Sequence, residues 1–205
     1  MKSNLQNWLG HLYIIQPPLL KLFYRYYRGK GFSKGFKLYS KDNLITPNFR
    51  IAQFFFTSEC AKDLVDRLDR FDNPCCLCTP RLGKEWFDRG RVVRVLDIDK
   101  RFSFLPGYKY YDLRFPTIVI EVFDVIVMDP IFKYGDAVLL NAINNISKEN
   151  YDQKLLIVHT TADSSLFLRT FSDYKLQPTG YHPEFCNLTG ERNKMYMFYA
   201  NFEFP

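Results

Sequence analysis

The stretch Phe123-Asp-Val-Ile-Val-Met-Asp-Pro-Ile-Phe132 decides the fold. Five of its first six residues are apolar, three of them valine or isoleucine, and within them Asp124 is the only charge. A run so nearly apolar reads as a strand buried on both faces, as in the middle of a parallel sheet. Pro130 has no N–H with which to continue a ladder, so the strand must stop at Asp129. A carboxylate and an aromatic ring are thus presented at the carboxyl end of a central strand, the edge at which open α/β sheets bind ligands.

The same alternation extends outward in both directions. Upstream, a hydroxyl pair at Thr57-Ser58 precedes Ala61, Leu64, Val65 and Leu68 at helical spacing, with Ser58 expected as the N-cap. Cys75 to Thr79 reads as a short buried strand, and Pro80 opens a helix through Trp86 and Phe87. Arg91 to Asp97 and Tyr108 to Tyr111 follow as strands, while residues 114–122 suit a strand by their β-branched run and a helix by their position. Downstream, helices are expected over 137–146 and 164–171 and a buried strand over 154–159, with two strands over 174–181 and 194–202 closing the chain as a hairpin. Strand–helix alternation of this kind gives an α/β, doubly wound, mostly parallel sheet with an antiparallel C-terminal strand.

Charge divides the chain. Residues 1–50 hold nine Lys/Arg and one Asp, whereas the other 155 residues hold nineteen Lys/Arg and twenty-one Asp/Glu. We therefore expect a basic, aromatic arm over 1–48 and a near-neutral folded domain over 49–205. Arg25, Arg28, Lys30 and Lys34 stand among tyrosines and phenylalanines, a mixture that suits nucleic-acid phosphates and exposed bases; the alternative is a solvated face packed on the domain. No apolar run reaches membrane-spanning length, and the first residues lack a secretory h-region, so no membrane partner is expected. Five cysteines, an odd number, three of them crowded at 75, 76 and 78, point to reduced thiols in an intracellular compartment, cytoplasmic or nuclear. Cys76-x-Cys78 has no second pair, and structural zinc prefers paired Cys-x-x-Cys, so no metal is expected.

Three acids fall at the carboxyl ends of successive strands: Asp97 or Asp99, then Asp112, then Asp129. The first suits the ribose hydroxyls of a nucleotide-like cofactor, and the second an exocyclic amine of its base; each is equally a favoured helix cap. The turn Cys-Thr-Pro-Arg-Leu-Gly83 supplies neither a G-x-G-x-x-G fingerprint nor a Walker loop.

Gln53-Phe-Phe-Phe56, Cys76-Leu-Cys-Thr-Pro-Arg-Leu82, Leu96-Asp-Ile-Asp-Lys-Arg-Phe102 and Asp129-Pro-Ile-Phe132, in that order, resemble the N6-adenine methyltransferase-like family of S-adenosylmethionine-dependent enzymes. The pattern is nearest its zinc-finger-bearing branch acting on ribosomal-RNA adenine; a sister branch methylates lysine on an elongation factor. The resemblance runs from about residue 49 to the end. It implies a class I methyltransferase, Rossmann-like fold with a seven-stranded sheet and S-adenosylmethionine as cofactor. Gln53, Phe54, Phe55, Phe56, Thr79, Pro80 and Arg81 would line the cofactor pocket, with Asp99 and Asp97 on the ribose and Asp112 near the adenine. Asp129 and Pro130 would accept the two N–H bonds of an exocyclic amine, with Phe132 stacked on its base. Ile131 and Lys133 would touch substrate. Ile131 stands where the family has a second proline, which frees φ and adds an N–H. The expected activity is methyl transfer to adenine N6 in RNA. The alternatives are a protein lysine methyltransferase and a catalytically inactive binding or scaffold subunit working with a partner.

Overall fold

The computed structural model describes residues 45–48, 53–188 and 190–205, and the expectations placed on the arm and on Arg25, Arg28, Lys30 and Lys34 lie outside them. In chain order the elements are α1 (Ser58–Leu68), β1 (Pro74–Leu77), α2 (Pro80–Asp88), β2 (Arg94–Asp97), β3 (Tyr108–Tyr110), β4 (Val125–Met128), α3 (Asp136–Ser147), β5 (Lys154–Thr160), α4 (Ser164–Thr170), β6 (Gln177–Pro178), α5 (Gly190–Asn193) and β7 (Tyr196–Ala200).

The apolar runs become strands buried on both faces because helices cover the sheet front and back. Along β4, Val125 and Val127 enter one core with Leu64, Val65, Leu82 and Trp86 of α1 and α2. Ile126 and Met128 enter the other, with Leu139 and Ile143 of α3 and Phe167 of α4. Alternate side chains of β1, β2, β5 and β7 divide in the same way, so the strand middles are apolar and the buried polar residues Arg94, Asp97 and His159 fall at or next to strand ends. The strand order is β3-β2-β1-β4-β5-β7-β6. β7 runs antiparallel to both its neighbours, and the remaining pairs are parallel. That is the class I methyltransferase arrangement.

Three local expectations are corrected. The N-cap of α1 is Thr57, whose Oγ1 accepts the Cys60 N–H at 3.1 Å, because Thr57 has the extended backbone of a cap while Ser58 is already helical. Residues 114–122 form neither strand nor helix. Val119 and Glu121 point inward and Ile118, Ile120 and Val122 outward, as in a strand. The carbonyls of these three outward residues are instead taken by the side chains of Lys109, Lys148 and Asn73, so no ladder forms. Inside, Glu121 pairs with Arg94, both buried, and Arg94 also donates to the Gly107 carbonyl at 3.0 Å. Finally, the last two strands are not a tight hairpin: β6 is two residues long, and α5 lies in the connection. Pro178, lacking an N–H, suits the sheet edge where it sits. Among the described residues no helix is long and apolar enough to cross a membrane.

Candidate active site

Parallel strands place β1, β2, β3 and β4 with their carboxyl ends along one edge, which brings Thr79, Asp97, Asp112 and Asp129 together from four separate segments. The Asp129 N–H donates to the Leu77 carbonyl at 3.3 Å, the last bond of the β4 ladder before Pro130 ends it. Asp129 is half-buried as a residue, and among the described residues its side chain has no hydrogen-bond or salt-bridge partner. Burial and the nearby charge of Asp97 push its carboxyl well above the usual carboxylate range. After Ile131 a single 3-10 turn over Phe132–Tyr134 leads into Gly135, whose φ of 80° favours glycine.

Phe132 is fixed by its neighbours. Tyr196 stacks against it with centroids 5.5 Å apart, and the His159 ring meets it edge-on at 5.5 Å. His159 itself stacks on Phe167 at 4.2 Å, with Nε2 3.0 Å from Asp136 Oδ1. Burial and the charge of Asp129 raise the Tyr196 phenol, which places that phenol within the electrostatic reach of the corner. Neither Tyr196 nor His159 stood out in the sequence. Tyr196 pairs with Thr160 at the start of the antiparallel β7, so it sits beside the carboxyl end of β5. The direction of β7 creates this neighbourhood, and no local spacing announces it.

The acids after β2 differ in what they already hold. Asp99 accepts from the Arg101 backbone at 3.0 Å, from the Arg101 guanidinium at 2.7 Å and from Gln53 Nε2 at 3.0 Å. These bonds hold its carboxyl below the ordinary value despite the opposing cost of its burial. Gln53 Oε1 in turn accepts from Arg101 Nη2 at 2.8 Å and from the Asn48 N–H at 3.0 Å. Asp97 is 4% exposed and accepts the Asp99 N–H at 2.7 Å. Among the described residues it is bonded only by main-chain N–H groups, and burial, with the charge of Asp99 adding to it, pushes its carboxyl up to about 7. Asp97 is therefore the under-used acceptor at this strand end, and Asp99 caps the turn. Asp112 accepts the Arg114 backbone at 3.0 Å and its guanidinium at 2.6 Å, which hold its carboxyl below the ordinary value.

Other candidates divide between site and scaffold. Gln53 and Phe54 lie toward the strand ends, Phe54 packing on Tyr196 with centroids 6.4 Å apart. Phe55 and Phe56 are each 2% exposed within the first core. Thr79 precedes α2, donates from Oγ1 to the Val127 carbonyl at 3.3 Å and thereby ties β1 to β4, with Pro80 in the first turn. Arg81 donates to the Ile45 carbonyl at 3.0 Å and lies 4.7 Å over the Phe55 ring, so it clamps the 45–48 segment across the strand ends. Ile131 is half-buried and Lys133 exposed beside the corner. Cys78 takes a φ of 58° at the end of β1, and Asp97, Asp129 and Asp112 all add to the burial that raises its thiol. The three strand-end acids thus converge on one space.

A family model described as probable N6-adenine methyltransferase matches residues 47–204. Comparison with curated proteins gives no match. Among solved structures, a TehB-like SAM-dependent methyltransferase from Corynebacterium glutamicum is 13% identical, with 84% of this chain and 96% of that chain covered and a TM-score of 0.48. A ribosomal protein L11 methylase from Lactobacillus delbrueckii subsp. bulgaricus is 14% identical, with 72% of this chain and 79% of that chain covered and a TM-score of 0.46. These likenesses are loose, and the fold rests on the strand order itself.

Proposed function

The chain belongs to the probable N6-adenine methyltransferase family, and from that premise we propose that it uses S-adenosylmethionine to methylate the exocyclic N6 amine of adenine in RNA. The observation that carries the reading is Asp129, a carboxyl group whose side chain has no partner of its own among the described residues, beside the Pro130 carbonyl and a fixed Phe132 ring. An exocyclic amine is a poor nucleophile because its lone pair is delocalised into the base. Accepting its two N–H bonds at Asp129 and at the Pro130 carbonyl favours the pyramidal nitrogen that develops in the transition state. Phe132 holds the base in plane by stacking. Ile131, in place of a proline, leaves both acceptors in being.

The strand ends fit the cofactor. Asp97 offers a buried carboxylate whose side chain meets no other side chain in a hydrogen bond, suited to two ribose hydroxyls. Asp112, with Arg114 above it, and the Gln53–Phe54 segment close the flanks. Bound S-adenosylmethionine supplies an electrophilic methyl group on a sulfonium. A lysine amine, once neutral, could use the same two acceptors, and an inactive relative would keep the fold without the chemistry.

Calorimetry with S-adenosylhomocysteine should show binding that Asp97→Ala abolishes; no binding by the intact protein rejects the enzyme and favours the scaffold. Mass spectrometry of digested RNA and of the proteome, with and without the gene, should show methyladenosine lost from RNA. Loss of methyl-lysine alone would transfer the activity to a protein substrate.

A further inference from the structure

Around the buried acids of the strand ends lies a second layer of side chains, of which the methyl-transfer reading uses only Arg114, at the cofactor's flank, and Lys133, beside the substrate. Asp97, Asp99 and Asp112 are all under 9% exposed, and the last two are paired with Arg101 and Arg114. Cationic and aromatic side chains stand exposed where these strands end and on the segments that follow them. Lys100, Tyr110, Arg114, Phe115 and Lys133 are all exposed, and Tyr134 is half-buried. Tyr110 and Phe115 leave 48% and 73% of their surface in water.

These six residues form a track of two contacting groups, Lys100 with Tyr110 and Arg114 with Phe115, Tyr134 and Lys133, which the chain joins through the short segment from Tyr110 at the end of β3 to Arg114. The Lys100 ammonium sits 5.3 Å over the Tyr110 ring. The Arg114 guanidinium lies 5.7 Å over Phe115 and 5.3 Å over Tyr134, and Lys133 lies 5.7 Å from the same Tyr134 ring. Lys100 follows β2, Tyr110 ends the edge strand β3, and Lys133 and Tyr134 follow β4 directly after Phe132. The track therefore leads from the sheet edge to the catalytic corner.

We propose that this track grips single-stranded RNA beside the target base, so that the folded domain supplies its own hold on the substrate. Phosphates answer the cations, and exposed flat rings answer unstacked bases. A duplex would keep its bases stacked and leave Tyr110 and Phe115 without partners, and an acidic peptide would use the cations alone. The inference rests on the RNA reading above for the purpose of the track, while its binding chemistry is testable without methyl transfer.

The test is fluorescence anisotropy of the full chain with a short, mixed-sequence, labelled single-stranded RNA over a potassium chloride series, without methyl donor. The basic arm is present throughout, so differences from wild type isolate the track. Changing Lys100→Gln and Lys133→Gln together should flatten the salt slope by about 1.4, for two lost contacts at about 0.7 each. Tyr110→Ala and Phe115→Ala should each weaken binding at least about fivefold at every salt concentration, with the slope kept. Melting curves and S-adenosylhomocysteine calorimetry on the same variants should match wild type, as the altered side chains are exposed. Absence of RNA binding, variants that bind like wild type, or a polyglutamate competitor as effective as RNA would each overturn the track. Should RNA bind as described while S-adenosylhomocysteine does not, the track stands and the methyl-transfer reading falls.

Discussion

Asp97→Asn should make the protein more stable and less able to bind its cofactor. Asp97 is 4% exposed, forms no salt bridge among the described residues, and has its carboxyl pushed up from 3.8 to about 7 by burial. A folded-state value above the unfolded one means that the folded protein prefers the protonated form. Stability is therefore full below the ordinary carboxylate value, falls as the pH rises toward about 7, and stays low above it. The whole rise corresponds to ~4 kcal/mol of folding free energy. Asparagine keeps an oxygen for the Asp99 N–H but brings an NH₂ that finds no ready acceptor, at a cost of about 1–2 kcal/mol. The net gain at pH 8 is then about 2–3 kcal/mol, or roughly 5–10 °C in melting temperature for a domain of this size. Thermal melts of both proteins from about pH 4 to about pH 8.5 should show the difference widening up to about pH 7 and flat beyond. Calorimetry should show S-adenosylhomocysteine binding weakened at least about tenfold, as the ribose loses a charged acceptor. A melting difference that does not change with pH would refute the electrostatic argument. Unaltered binding would remove Asp97 from the cofactor site.

Asp129→Asn should lower methyl incorporation from labelled S-adenosylmethionine into RNA by about a hundredfold or more, with S-adenosylhomocysteine affinity kept, since it removes an acceptor from the transition state alone. Arg94→Met should destabilise the domain by roughly 3–5 kcal/mol in urea unfolding, because Glu121 is left buried without its cation. The double change Arg94→Met with Glu121→Leu should recover most of that loss. Gly107→Ala should be far worse than Gly83→Ala in the same assay. A Cβ at Gly107 would meet the Val93 carbonyl oxygen at 1.8 Å, whereas one at Gly83 would meet the Val95 Cγ2 at 2.2 Å. Backbone cannot turn aside; a side chain can, at about 1–3 kcal/mol.

Much of the fold was legible because its signals are local. A strand covered by helices on both faces must be apolar throughout, and Val125–Met128 reads so without knowledge of its neighbours. Pro130 ends its strand by its own missing N–H. The apolar stripe of α1 follows from helical spacing alone. Three acids at three strand ends followed from the same segmentation, since parallel strands bring their carboxyl ends to one edge.

What each acid does there was decided only in three dimensions. Asp97 and Asp99 are equivalent in the sequence, but Arg101 and Gln53 converge on Asp99 and leave Asp97 with main-chain bonds alone. Gln53-Phe-Phe-Phe56 reads as one block, yet the chain turns Phe55 and Phe56 into the core and keeps Gln53 and Phe54 at the strand ends. Tyr196 reaches Phe132 from more than sixty residues away because β7 runs antiparallel to β5 and begins where the parallel strands finish. Spacing along a chain fixes which residues share a face. Which faces meet is set by strand direction and by competition among distant partners for the same hydrogen bonds, and both exist only once the sheet has closed.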